Sequence, residues 1–290
     1  MKKNNLLTVL VITYNHENYL KKCLESILSQ KTDFDFKINI VDDCSTDKST
    51  SIAMQYQSSF PRIITATVRA TNLGVEENIF LGVQAVNTKY YATIEGDDCW
   101  CDDNKLQRQV DALESTPGAS FCGHNSYIIK NEVIHKAMFS SKKHNIRSIY
   151  KFPKNFSKKN FVKVHPSSRV YRTASIDFAN LKYKGSVVWD SSAYWYFLSK
   201  GSLVYIDQIM SHYNYTGEGL YSSADRKKRN VMAVTNIYNI NRELDFVYNK
   251  LFYSLLFSKK RIRVNMFTRF ILRFFPDKIS LNFLLSKINS

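Results

Sequence analysis

Over its first 115 residues the chain alternates short, β-branched apolar runs with segments whose apolar residues recur at helical spacing. Residues 8–13, TVLVIT, read as a buried strand. Residues 16–30 place Tyr19, Leu20, Cys23, Leu24, Ile27 and Leu28 on one helical face. Residues 36–41, 62–68 and 90–95 repeat the strand signal, and residues 75–86 and 103–113 the helical one. Ser45 or Asp47 is placed to cap the helix after the second strand, and Asp102 and Asp103 the helix after the fourth. Such alternation predicts an α/β fold: a mostly parallel central sheet flanked by helices on both faces.

In sheets of this kind, ligands gather beyond the carboxyl ends of the strands. Three of those ends are polar: Thr13-Tyr14-Asn15, Asp42-Asp43 and Glu95-Gly96-Asp97-Asp98. The last opens a cluster of acids running from Glu95 to Asp103, in a chain with 41 Lys and Arg against 25 Asp and Glu. Adjacent carboxylates at the end of a buried strand repel each other unless a cation lies beside them. Hard oxygen donors suit Mg²⁺ or Mn²⁺, which in turn bind a diphosphate. Cys99 and Cys101 flank Trp100 without a further Cys or ligand-spaced His, so they read as packing residues.

Past residue 113 the alternation fades. Residues 119–134 suggest two strands, 136–159 a mobile basic loop, 190–199 a helix, and the chain after 226 helices. Residues 226–290 carry most of the net charge of +16. That charge raises the reading of a basic nucleic-acid-binding protein. It sits in an apolar, aromatic tail with no nucleic-acid motif, so no nucleic-acid partner is expected. Residues 250–275 mix Phe, Leu and Ile with Lys and Arg and contain no acid. They read either as a helix lying in a membrane interface or as one packed on the domain. No run reaches the ~18 to 20 apolar residues of a membrane span. The N-terminal apolar stretch reads as a strand and not a leader, and five cysteines without a CxxC pair fit a reducing, cytoplasmic setting.

Four blocks in order, "VLVITYNHENYLKKCLESILSQ", "IVDDCSTDKS", "NLGVEENI" and "EGDDCWCDDNKLQRQVDALE", resemble family-2 glycosyltransferases of the GT-A fold. The resemblance implies an inverting, metal-dependent transferase that uses a nucleotide-sugar donor, UDP-linked by preference. A glycan or lipid-linked acceptor in bacterial surface-polysaccharide synthesis, at the inner face of the cytoplasmic membrane, goes with it. Thr13, Tyr14, Asn15, Asp42 and Asp43 would meet base and ribose, with Asp43 favoured over Asp42. Asn72, Gly74 and Asn78 would border the donor pocket. Glu95 and Asp97 would face the sugar side, and Asp98 would hold Mn²⁺ or Mg²⁺. Cys44 stands where the family's block has Gly.

A second match, "VVWDSSAYWYFLSKGSLVYIDQIMSHY", places Asp190 where the family has its catalytic base, although a helix cap would equally explain it. His165, Trp189 and Tyr213 would lie on the acceptor side. On this reading residues 1–225 form the catalytic domain: 1–115 is its nucleotide-sugar half and 116–225 its acceptor half. Residues 226–290 are then a helical extension. A nucleotide-sugar-binding protein with weak or no turnover is the alternative within the family. A sugar nucleotidyltransferase is disfavoured because residues 8–20 contain no glycine for a phosphate loop.

Overall fold

The computed structural model describes residues 3–138, 148–151, 162, 164–188, 190–217, 223–245, 247, 280–286 and 288. Its first strand, β1 (Lys3–Thr13), shows why the apolar runs are continuous. Leu7, Val9 and Val11 enter one hydrophobic layer, and Leu10 and Ile12 enter another on the opposite face. A strand with a core on each side has no polar face to present to water.

The remaining strands are β2 (Phe34–Asp42), β3 (Ile64–Val68), β4 (Tyr90–Glu95), β5 (Cys99–Trp100), β6 (Ala119–Lys130), β7 (Val133–Ala137), β8 (Ile149–Tyr150), β9 (Val170–Arg172) and β10 (Ser202–Asn214). They form one sheet in the order β3-β2-β1-β4-β9-β6-β10-β5, with β7 paired to β6 and β8 to β10. The β3-β2-β1-β4 block is parallel throughout, as is β6-β10; β9 runs antiparallel between the two blocks.

Helices α1 (Leu20–Leu28), α2 (Ser49–Ser59) and α4 (Lys105–Glu114) cover one face of the sheet. Leu20, Cys23, Leu24 and Ile27 of α1, with Leu106, Val110 and Leu113 of α4, seal that layer. The other face is covered by α3 (Val75–Gln84), α5 (Gly185–Val188), α6 (Asp190–Lys200), α7 (Arg226–Glu243) and α8 (Leu281–Leu285). Val234, Ile237 and Ile240 of α7 and Leu284 of α8 share a core with Leu10, Tyr91 and Phe197. Helices α7 and α8 thus help to enclose the sheet. No helix among the described residues is long and apolar enough to cross a membrane. Residues 250–275 lie outside the described residues.

Several local expectations change. The first helix begins at Leu20 and not near 16, because the backbone N–H groups of His16 and Glu17 are held by Ser49 Oγ (2.8 Å) and Asp47 Oδ2 (2.9 Å). Neither Ser45 nor Asp47 occupies the cap position of α2, which is Lys48. Asp47 still accepts the Ser49 N–H at 2.8 Å, while Ser45 is drawn to Asp42. Asp102 and Asp103 do not cap α4 either, since Asn104 precedes its first residue. Asp102 accepts the Asn104 N–H and faces Arg108, and Asp103 pairs with Lys31 at 3.2 Å. The stretch read as a loop over 136–159 includes the end of β7 and all of β8; its residues 139–147 and 152–159 lie outside the described residues.

Lys105, the first residue of α4, is fully buried, and its Nζ has no hydrogen-bond partner among the described residues. The ammonium lies 3.9 Å from the centre of the Trp100 ring. Burial lowers its pKa to about 7, while the ring face favours the charged form. The unfolded chain keeps the proton up to its ordinary pKa near ~10.4. Between these values the unfolded state binds more protons, so stability rises with pH. Lys105→Met is therefore expected to be most stabilising at or below pH 7. Its advantage should shrink above pH 7 by up to ~1.4 kcal/mol per pH unit. Thermal unfolding of both proteins from pH 6 to 9 checks this; a pH-independent difference would show an exposed ammonium.

Candidate active site

The parallel register sets Thr13 beside Asp42 and Ile12 beside Glu95. The ends of β1, β2 and β4 therefore open on one edge. The backbone continues that alignment: Asp43 N–H donates to Thr13 O (3.0 Å), Gly96 N–H to Ile12 O (2.8 Å) and Arg69 N–H to Asp42 O (2.8 Å). A Cβ on Gly96 would stand 2.9 Å from His16 Nδ1 and 3.1 Å from Thr13 Oγ1, so only glycine lets these loops meet.

The two carboxylates after β2 do different work. Asp42 is fully buried and accepts from the Ser45 N–H, the Ser45 hydroxyl and the Thr50 hydroxyl. It closes the β2–α2 loop. Asp43 accepts Leu73 N–H at 2.8 Å and Gly74 N–H at 2.9 Å, drawing the start of α3 to this edge. Gly74 has φ +82°, a conformation that suits glycine. Asn72 braces the same turn by accepting Gly74 N–H at 3.0 Å. Thr13 is buried and Tyr14 is exposed. Asn15 accepts from Thr46 N–H at 2.8 Å. Asn78 is fully buried; its amide donates to Val41 O and accepts Arg69 Nε at 3.0 Å. What this position presents at the edge is the guanidinium it holds.

Beyond β4 the acids lie deep. Asp98 is 1% exposed and Asp97 8%. Asp98 accepts from the Ser167 hydroxyl and from Asn214 N–H at 3.0 Å, and His165 Nδ1 lies 3.5 Å away. Asp97 Oδ1 is buried without a partner among the described residues. Burial, then Asp97 and Glu95, push Asp98 well above the usual carboxylate range, against the bonds from Ser167 and Asn214. Burial likewise raises Asp97, with His16 opposing. Burial and the same three acids raise the Tyr213 phenol, whose ring lies 4.3 Å from that of His165.

Ser167 is held from below by Trp100. The indole N–H donates to Ser167 O at 2.9 Å, and Gln109 Nε2 donates to Ser168 O at 2.8 Å. Ser167, Arg69 and the Asn214 main chain were not singled out from the sequence as site groups. Arg69 follows β3 directly, so the strand-end rule applied to that strand would have found it. Ser167 and Asn214 are remote in sequence and reach Asp98 only through folding. Asp190 opens α6, but its side chain lies outside the described residues, as does Trp189 altogether.

These groups fit a divalent cation. Two hard carboxylates stand side by side, one buried oxygen lacks a partner among the described residues, and burial already penalises their charge. An ion that also binds a diphosphate needs only one or two protein carboxylates. No group of three or more acid, His or Cys side chains forms a metal cage among the described residues.

The profile of glycosyl transferase family 2 matches residues 8–178, more than half of the chain. The chain belongs to glycosyl transferase family 2. An uncharacterised protein of Mycobacterium tuberculosis is 34% identical over 123 residues, 42% of this chain and 36% of that protein. The chain thus spans little more than a third of the curated relatives it matches first. Among solved structures, Staphylococcus aureus TarS 1–349 in complex with UDP-GlcNAc superposes with TM-score 0.60 at 17% identity, covering 84% of this chain and 67% of that one. Pyrobaculum calidifontis mannosyltransferase PcManGT, in complex with GDP-Man and Mn²⁺, gives 0.58 at 14% identity, covering 82% and 64%. Both support the GT-A fold for this chain.

Cys44 takes φ +63° in the turn after Asp43, which strains a residue with a Cβ. Cys44→Gly relieves that strain and is expected to stabilise the protein by about 1 kcal/mol. Chemical denaturation reads the gain, and unchanged or lower stability would refute it.

Proposed function

We propose that this chain moves a sugar from a nucleoside-diphosphate donor, UDP-linked by preference, to a glycan or lipid-linked acceptor in surface-polysaccharide assembly. Inversion at the anomeric carbon, a Mn²⁺ or Mg²⁺ requirement and action at the cytoplasmic membrane face belong to the same reading. The observation that carries it is the buried Asp97–Asp98 pair at the carboxyl edge of the sheet, one oxygen of which has no partner among the described residues. A bound divalent ion neutralises charge that grows on a diphosphate leaving group.

The residue roles belong to the same reading. Asp43 meets the base or ribose, because its oxygens keep further lone pairs while those of Asp42 serve Ser45 and Thr50. Thr13 and Tyr14 flank it, and Asn15, Asn72, Gly74 and Asn78 shape the loops around the donor. Asp98 would hold the ion, with Asp97 beside it and with Asp97 and Glu95 toward the sugar. His165 and Tyr213 face the acceptor side, with Trp189 near Asp190. Asp190 takes the proton from the attacking hydroxyl. We place the donor half in residues 1–115 and the acceptor half in 116–225, with 226–290 as an extension.

Asp98→Ala is expected to abolish Mn²⁺-dependent UDP binding, read by calorimetry, together with UDP release from an active nucleotide sugar. Asp190→Asn should retain UDP and Mn²⁺ but lose ~10² to 10⁴-fold in turnover. A panel of nucleotide sugars assayed for released nucleoside diphosphate identifies the donor. Turnover undiminished by EDTA would remove the metal from the reading. Full activity of Asp190→Asn would remove the base assignment.

A further inference from the structure

The loop leading into α5 and α6 is gripped from two sides. On the donor side, both carboxylate oxygens of Glu77 in α3 meet Lys184 Nζ, at 2.9 and 2.7 Å. The same ammonium lies 5.0 Å from the centre of the Phe80 ring, one helical turn along α3. On the other side, Glu243 at the end of α7 accepts the backbone N–H of Lys182 at 2.9 Å and of Tyr183 at 2.8 Å. Asp245 pairs with the Lys182 ammonium, and the Tyr183 hydroxyl donates to Asn236 Oδ1 at 3.4 Å.

What these grips connect gives them meaning. Helix α3 starts at the turn whose Leu73 and Gly74 N–H groups are held by Asp43. Lys184 immediately precedes α5, and α6 opens at Asp190 soon after. A path of short polar contacts and helix therefore runs from the proposed donor carboxylate to Lys184 and α5, which in sequence lead to the proposed base.

We propose that Glu77, Lys184 and Glu243 are positioning residues for sugar transfer, which set the start of α6 against the donor edge. The inference rests on the transferase reading above. The Glu77–Lys184 pair is too exposed, at 36% and 49%, to matter much for global stability. Transfer is far more sensitive, since a misplacement of about 1 Å can cost on the order of 100-fold in rate.

The test uses the full chain carrying Glu77→Lys, Lys184→Glu, the two together, or Glu243→Ala. UDP release from the donor found in the panel gives kcat, calorimetry gives affinity for UDP with Mn²⁺, and unfolding gives Tm. Each single change is expected to lower kcat about tenfold or more with UDP affinity nearly unchanged; Tm should hold in the Glu77 and Lys184 variants, whereas Glu243→Ala, which frees two backbone N–H groups, should also lose some stability. The double exchange restores the ion pair reversed and should recover most of the rate. Hydrogen exchange over residues 181–188 supplies a readout that needs no turnover. UDP with Mn²⁺ should slow it in the wild type and the double exchange, and less in the single variants.

Normal kcat in the single variants, or no recovery in the double exchange, would overturn the proposal. So would a parallel loss of UDP affinity, which would place Lys184 on the diphosphate. Asp190→Asn is measured alongside. If it keeps full turnover, the base reading fails; if it is inactive while Glu77→Lys and Lys184→Glu are fully active, only the clamp fails.

Discussion

Two carboxylates are buried side by side at the end of β4, and the surroundings of the site are arranged around that unfavourable fact. Asp97 and Asp98 repel each other, and burial removes the water that would screen them. Ser167, Asn214 and His165 come together on Asp98, which fixes its direction. Trp100 and Gln109 brace the Ser167 turn in their turn. Burial therefore holds the pKa of both acids above the usual carboxylate range.

The sheet makes this placement possible. Parallel pairing of β2, β1 and β4 brings Asp42, Thr13 and Glu95 to one edge, and a core on each face keeps the strands from shifting. A one-residue slip would exchange the two apolar sets of β1 between layers built from different helices, so close packing on both faces holds the register that aligns the site. The neighbouring acids Asp42 and Asp43 then divide their tasks. One closes its own loop, and the other reaches across to the start of α3.

The C-terminal helices are part of this construction. Helix α7 contributes to the layer that also contains Phe197 of α6, and its last residue holds the loop before α5. A basic, aromatic composition had marked residues from 226 onward as an extension. For α7 and α8, the aromatic and aliphatic positions are explained by burial against the sheet.

The α/β class, the order of strands and helices, and the polar strand ends at 13–15, 42–43 and 95–98 could be read from the chain alone. Each depends on local periodicity or on residues adjacent in sequence, and adjacency survives folding unchanged. Helix starts at 16, 45–47 and 102–103 were placed less well: Asp47 and Asp103 found partners on distant segments, Glu17 and Lys31, while Ser45 turned back to Asp42 and Asp102 to Asn104 and Arg108, choices that local propensity does not encode. The short strand Cys99–Trp100 exists because β10 offers it a partner. The shell around Asp98 comes from residues about 70 and 116 positions away, Ser167 and Asn214. Sequence alone determined which residues carry charge at the strand ends. Only the tertiary structure decided which of them are buried, which are satisfied and which is left with an unpartnered oxygen, because desolvation and hydrogen bonding depend on neighbours in space.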